Sequence, residues 1–182
     1  AGQSSQARLA YTQLVQQYEL AGTVDQTAAE ALFNLGVACE KTDDLAGASQ
    51  AFRRSLALFE TLSATDTQET TLALEGLAAV LLRQENFQEA TVALERALAV
   101  RQEIYPANHP QLARLYALRA LASQLSGDWD STEEWYYRAL TAYRRIHGNV
   151  HPYVAQIIQN IGTFYADTGN FQAEIMFRQA AD

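Results

Sequence analysis

Asp43-Asp44-Leu45 returns as Glu85-Asn86-Phe87, as Gly127-Asp128-Trp129 and as Gly169-Asn170-Phe171, each set 42 residues after the last. Gly36, Ala78, Ala120 and Gly162 keep the same interval, and so do Ala48, Ala90 and Thr132. A fixed period of about 20–50 residues marks a repeat array, in which each unit buries its apolar face against its neighbours. Such a chain offers a long shaped surface rather than one deep reaction centre.

Two helical stripes lie between successive turns. Leu32, Leu35, Gly36 and Cys39 recur at three- and four-residue steps, and Leu45, Ala48, Phe52, Ser55 and Leu56 follow after the turn. Corresponding pairs of stripes follow in the next three repeats. Asp44, Asn86, Asp128 and Asn170 are good N-caps for the second helix of each pair, and Pro110 and Pro152 suit a first helical turn. The spacing predicts about nine helices, roughly 3–20, 26–41, 44–62, 67–84, 86–104, 110–126, 128–146, 152–168 and 170–181.

Apolar residues make up 48% of the 182 positions, which excludes intrinsic disorder. No run approaches the ~20 apolar residues of a membrane span, so no membrane insertion is expected. A net charge of −8 repels phosphate backbones and argues against nucleic acid. Acidity is concentrated in residues 1–100, with 13 acids against 6 bases, and nearly balanced in 101–182, with 8 against 7. Twelve of the thirteen basic residues are Arg, Lys41 being the exception. A lone cysteine, Cys39, forms no internal disulfide and points to a reducing, cytoplasmic setting. The start at Ala1 reads as a trimmed terminus without a visible signal peptide.

These features resemble the tetratricopeptide repeat, in which paired helices carry small and large apolar residues in this order. The 42-residue period, Tyr105-Pro106-Ala107-Asn108-His109-Pro110 and His147-Gly148-Asn149-Val150-His151-Pro152 are similar to the kinesin light chain class of that family. The resemblance implies an all-α, right-handed superhelical solenoid of antiparallel helix pairs. It would form a single array over 1–182: an unpaired helix 3–20, then repeats 26–62, 67–104, 110–146 and 152–181, the last from a truncated parent. Arg119 departs from the pattern by standing where other repeats have Leu35, Leu77 and Ile161. Thr132 replaces an alanine, and the interval from Gly162 to Ala173 is one residue short.

Chemistry-bearing residues are sparse. His109, His147 and His151 invite a metal site, but each of His109 and His151 precedes a helix-starting proline and no ligand cluster accompanies them, so helix capping is the expected role. Cys39 lies on an apolar stripe. Glu133 and Glu134 are adjacent and cannot flank a substrate. No nucleophile motif or phosphate-cradling loop is present. The chain reads as no enzyme, with no cofactor and no metal. Arg119 should be paired within its repeat, with Glu133 or Glu134 as candidates, or else anchor a ligand. In Trp135-Tyr136-Tyr137, Tyr136 packs inward, Tyr137 faces outward and Trp135 straddles.

The resemblance also implies which positions face the concave groove, lined by the first helix of each pair. These are Asn34, Val37 and Lys41 in the first repeat, and Leu72, Glu75, Ala79 and Arg83 in the second. Arg114, Leu118 and Leu121 follow in the third, then Gln156, Gln159, Asn160 and Thr163 in the fourth. Leu72, Leu82, Leu118, Leu121 and Leu125 would make the middle apolar. Lys41 and Arg83 would hold an acidic group or complement helix dipoles. Asn34 and Asn160 resemble asparagines that hold a ligand backbone, but Gly76 and Leu118 interrupt that series. The lysine and arginine positions of the family's carboxylate clamp are not met.

The function expected is therefore a protein–protein interaction module that takes a peptide or helix of a partner in its groove. The alternatives are self-assembly through the last helix, with Ile175, Met176, Phe177 and Ala180, or a regulatory domain of a larger protein.

Overall fold

Four residues spaced 42 apart start the first helix of each pair by accepting a backbone N–H. Asp25 accepts from Ala28 and Thr67 from Thr70, while His109 and His151 accept through Nδ1 from Gln111 and Tyr153. The computed structural model describes residues 2–62, 67–107 and 109–170, with 172, 175, 178 and 180. Among these all regular structure is helical. The chain divides into two compact units, residues 1–100 and 101–182.

The first unit contains α1 (Gly2–Ala21), α2 (Gln26–Lys41), α3 (Leu45–Thr61), α4 (Gln68–Arg83) and the greater part of α5 (Phe87–Ile104). Helix α2 turns its Ala28, Ala29, Leu32, Gly36 and Cys39 stripe inward, and α3 buries Ala48, Ala51, Phe52, Ser55 and Leu56. Ser55 Oγ donates to the Ala29 carbonyl at 2.8 Å, satisfying a buried hydroxyl between the two helices. Gly36 is small because the Phe52 ring occupies the space beside it: a β-carbon there would stand 2.8 Å from Cδ1.

The second unit contains a 3-10 turn (Pro110–Leu112), α6 (Ala113–Ser126), α7 (Trp129–His147) and α8 (Pro152–Asp167). Leu112 N–H closes on His109 O at 3.0 Å, so the first turn expected of helix 110–126 is wound tighter. Tyr116, Leu115, Ala120, Tyr136 and Ala139 are fully buried, with Ile158, Ile161 and Tyr165 on α8. Thr132 sits in its alanine slot at no exposure, its hydroxyl donating to Asp128 O at 2.7 Å.

Within each pair the chain reverses through a left-handed residue. These are Asp43 (φ 63), Glu85 (φ 60), Gly127 (φ 78) and Gly169 (φ 69), again in register. The ninth expected helix, 170–181, falls mostly outside the described residues, as do Phe171, Ala173, Met176 and Phe177.

All five arginines of the first unit reach carboxylates 35–40 positions away: Arg8–Asp44, Arg53–Glu89, Arg54–Glu19, Arg83–Asp43 and Arg96–Glu60. Four of these join successive second helices, α1 to α3 and α3 to α5. A long guanidinium fork spans that distance and presents several donors, which accounts for Arg over Lys here. The partners are 38–79% exposed, so each pair contributes at most about 1 kcal/mol.

Candidate functional site

In the second unit the first helices α6 and α8 line a groove of about 450 Å³, with one wall contributed by α7. Arg114, Leu118 and Leu121 come from α6, Gln156 and Asn160 from α8; these five were expected on this face. Their spacing explains the placement, since residues three, four and seven apart share one helix face. Ala117 and Ile157 complete the floor, and Tyr143 and Tyr153 form the wall. Gln159 and Thr163 are exposed but do not line it; the Thr163 hydroxyl donates back to Gln159 O at 3.2 Å.

The groove joins an apolar strip to amides. Gln156 Nε2 donates to Asn160 Oδ1 at 3.0 Å, which orients the Asn160 amide. Among the described residues Arg114 is the one charged side chain of the lining. Tyr143 and Tyr153 rings lie 5.7 Å apart and both pack on His147, at 6.3 and 5.6 Å. His147 in turn stacks on His151 at 3.9 Å and 11°. The capping role expected of His109 and His151 is seen, and His147 serves as a ring support. Among the described residues no group of three or more His, Cys, Asp and Glu could hold a metal ion.

Tyr143 and Tyr153 were not anticipated. Tyr143 belongs to a second helix, expected to face away, and Tyr153 occupies the first turn of α8 outside the expected groove positions. The signal was their flanking of His147 and His151, whose ring stack pins both.

In the first unit the expected groove positions fare differently. Asn34, Val37 and Ala79 are half-buried, Lys41 is exposed and Leu72 is 36% exposed. Glu75 is 4% exposed and Leu82 5%, so neither is offered to a ligand as expected. Gly76 is buried against Phe52, which occupies the volume where the family's groove asparagine would project. Arg83 is engaged by Asp43, so its expected role beside Lys41 as an anion holder is already filled by the protein's own carboxylate.

Arg119 is half-buried on α6. Its guanidinium donates to Ser123 Oγ at 2.6 Å and lies 5.7 Å over the Trp135 ring, while Arg138 covers the same ring at 4.9 Å. Glu134 pairs with Arg138, and Glu133 accepts from Tyr165. Burial, followed by the hydrogen bond to Glu133, pushes the Tyr165 hydroxyl pKa well above its ordinary value, so it acts as a structural donor. Burial likewise raises that of the Cys39 thiol, with Asp44 adding to it, which suppresses thiolate chemistry.

Three family models, each described as tetratricopeptide repeat, match residues 29–61, 70–111 and 112–182. No match is found among curated proteins. Among solved structures, a kinesin-light-chain-like protein of Podosopora anserina with nearly identical TPR-like repeats superposes with a TM-score of 0.79 at 18% identity, over 99% of this chain and 86% of that one. BtubC (BKLC) of P. vanneervenii superposes at 0.74 and 20% identity, over 98% and 70%. MamA of Desulfovibrio magneticus RS-1 gives 0.65 at 18%, over 96% and 93%. Repeats of this family mediate protein–protein interaction and are in general non-catalytic. Among the described residues no helix is long and apolar enough to cross a membrane. The chain belongs to the tetratricopeptide-repeat family.

Proposed function

We propose that the groove between α6 and α8 holds a peptide or helix segment of a protein partner, without catalysis and without nucleic acid. The observation that carries this is the convergence of Leu118, Leu121, Gln156, Asn160 and Arg114 on one 450 Å³ groove walled by two tyrosines. Burying one leucine-sized side chain of the partner on that strip contributes roughly 1.5–3 kcal/mol. The Asn160 amide donates to a backbone carbonyl of the segment and fixes its register. Helices on both sides preorganise the groove, so few of its own side chains lose freedom on binding.

A peptide-array or pull-down comparison with Leu121→Glu, Tyr153→Ala and Arg83→Glu tests it. Leu121→Glu and Tyr153→Ala should each weaken capture at least tenfold while circular dichroism stays unchanged, and Arg83→Glu should bind as the parent does. Retention of binding by both groove variants assigns the partner to another surface.

A further inference from the structure

We infer that the segment held between α6 and α8 is proline-rich and binds as a left-handed polyproline II helix. This rests on the peptide-binding reading of the groove and names the chemistry of its occupant.

Hydrogen bonding narrows the choice first. The floor is built from helices, and within a helix the backbone N–H and C=O groups bond to one another. Leu118, Leu121 and Ile157 lie inside α6 and α8, so their backbone offers nothing to a segment laid across them. An ordinary extended segment would bring N–H groups onto this apolar strip, and an N–H buried without an acceptor is destabilising. Proline has no N–H to bury. An α-helical segment would avoid that penalty too, but its carbonyls are already bonded within itself. The Asn160 amide, whose oxygen accepts from Gln156 Nε2 at 3.0 Å, would then meet no backbone carbonyl. Polyproline II has no internal hydrogen bonds and leaves its carbonyls open to an outside donor. Of the regular backbones it alone presents acceptors here without donors.

The ring wall supplies the second argument. Proline-rich segments dock in aromatic-lined grooves, where a stiff segment meets stiff rings. Tyr153 is 58% exposed, yet three rings brace it: His151 at 5.1 Å, His147 at 5.6 Å and Tyr143 at 5.7 Å. An exposed side chain braced before binding loses little freedom when a ligand packs on it. Tyr143 lines the same groove, half-buried. The length agrees as well. Arg114 and Leu121 stand two helical turns apart on α6, about 10 Å by helix rise. One three-residue turn of polyproline II covers about 9 Å, so prolines three apart meet one strip.

A blocked ten-residue polyproline is the probe, titrated into the full chain and followed by amide chemical shifts. A blocked, uncharged helical peptide of leucine, alanine and glutamine is its counterpart. Saturable shifts with polyproline are expected at residues 114–121, 143 and 153–160, with a dissociation constant below about 1 mM. The helical peptide should bind at least about tenfold more weakly. Tyr153→Leu keeps an apolar side chain but removes the ring, and should weaken polyproline at least about tenfold with circular dichroism unchanged. Asn160→Leu, which removes the donor, should weaken it about fivefold. Tyr153→Phe, which keeps the ring, should bind as the parent does. Absence of saturable shifts with polyproline, equal or tighter binding of the helical peptide, or unchanged affinity in Tyr153→Leu overturns the assignment. Shifts centred on residues 1–100 overturn it as well, by placing the polyproline site in the other unit. The groove is judged separately: if Leu121→Glu abolishes partner capture while polyproline leaves residues 114–160 unmoved, the groove stands and its proline-rich occupant falls.

Discussion

The ring of Phe52 fills the space that a β-carbon at Gly76 would need, leaving its Cζ only 2.7 Å from that position. Cδ1 and Cε1 of the same ring stand 2.8 Å from the β-carbon position of Gly36, so one aromatic side chain on α3 keys into two glycines on α2 and α4.

Gly76→Ala should therefore destabilise the first unit despite alanine's better helix propensity. Overpacking a ring that has no exposure costs about 1–3 kcal/mol, against roughly 1 kcal/mol regained from the helix. A net loss of up to about 2 kcal/mol by urea denaturation is expected. In a Phe52→Leu background the loss should shrink below about 0.5 kcal/mol, since the clash is with the ring. Equal losses in both backgrounds refute the keying.

Glu85 holds a left-handed conformation at φ 60, where its register partners Gly127 and Gly169 carry no β-carbon. Glu85→Gly should stabilise the protein by roughly 0.5–1 kcal/mol. Asp43→Gly should gain less, because it also removes the carboxylate that holds Arg83. Thermal midpoints of the two variants decide the order.

His151 accepts the Tyr153 N–H through Nδ1 at 3.2 Å while stacking on His147. His151→Ala should cost about 1 kcal/mol, and His151→Asn should recover most of it, since asparagine caps without a ring. If the ring stack supports the groove wall, His151→Asn will still weaken partner capture. Stability and binding then separate in one variant.

Acid should erode the first unit through two carboxyls. The Thr27 hydroxyl and the Ala28 N–H hold Asp25 below its ordinary pKa, and the hydrogen bond from Arg53 does the same for Glu89. A lowered folded-state pKa means the unfolded chain binds protons first, so this stability is full above the ordinary carboxylate range. It is lost as pH falls through the lowered values. The thermal midpoint should drop below about pH 4, and Asp25→Asn should make that drop shallower. Both groups are at the surface, so 1 M salt should weaken the Glu89 contribution more than the Asp25 cap.

Helix boundaries were legible to within a residue or two because their determinants are local. Gln26–Lys41 and Phe87–Ile104 follow from apolar spacing, an N-cap and a turn residue, all within one helix length. The exception is Pro110–Leu112, a 3-10 turn where the first turn of the helix was expected, although Pro152 at the same repeat position starts a regular α-helix. Groove membership was legible for Arg114, Leu118, Leu121, Gln156 and Asn160, where helix face alone decides it. It failed at Glu75 and Leu82, which lie on α4, buried on most of its circumference.

The sequence by itself determined the period, the helix pairs and the register of the turns. Each depends on residues a few positions apart, and backbone hydrogen bonding leaves them little choice. Only the tertiary structure decided that Phe52 occupies the place of a groove asparagine, that Arg83 faces Asp43, and that Tyr143 and Tyr153 wall the groove. Those outcomes depend on how far one helix turns and shifts against another, a distance set by side-chain volumes 24–40 residues apart that no local spacing encodes.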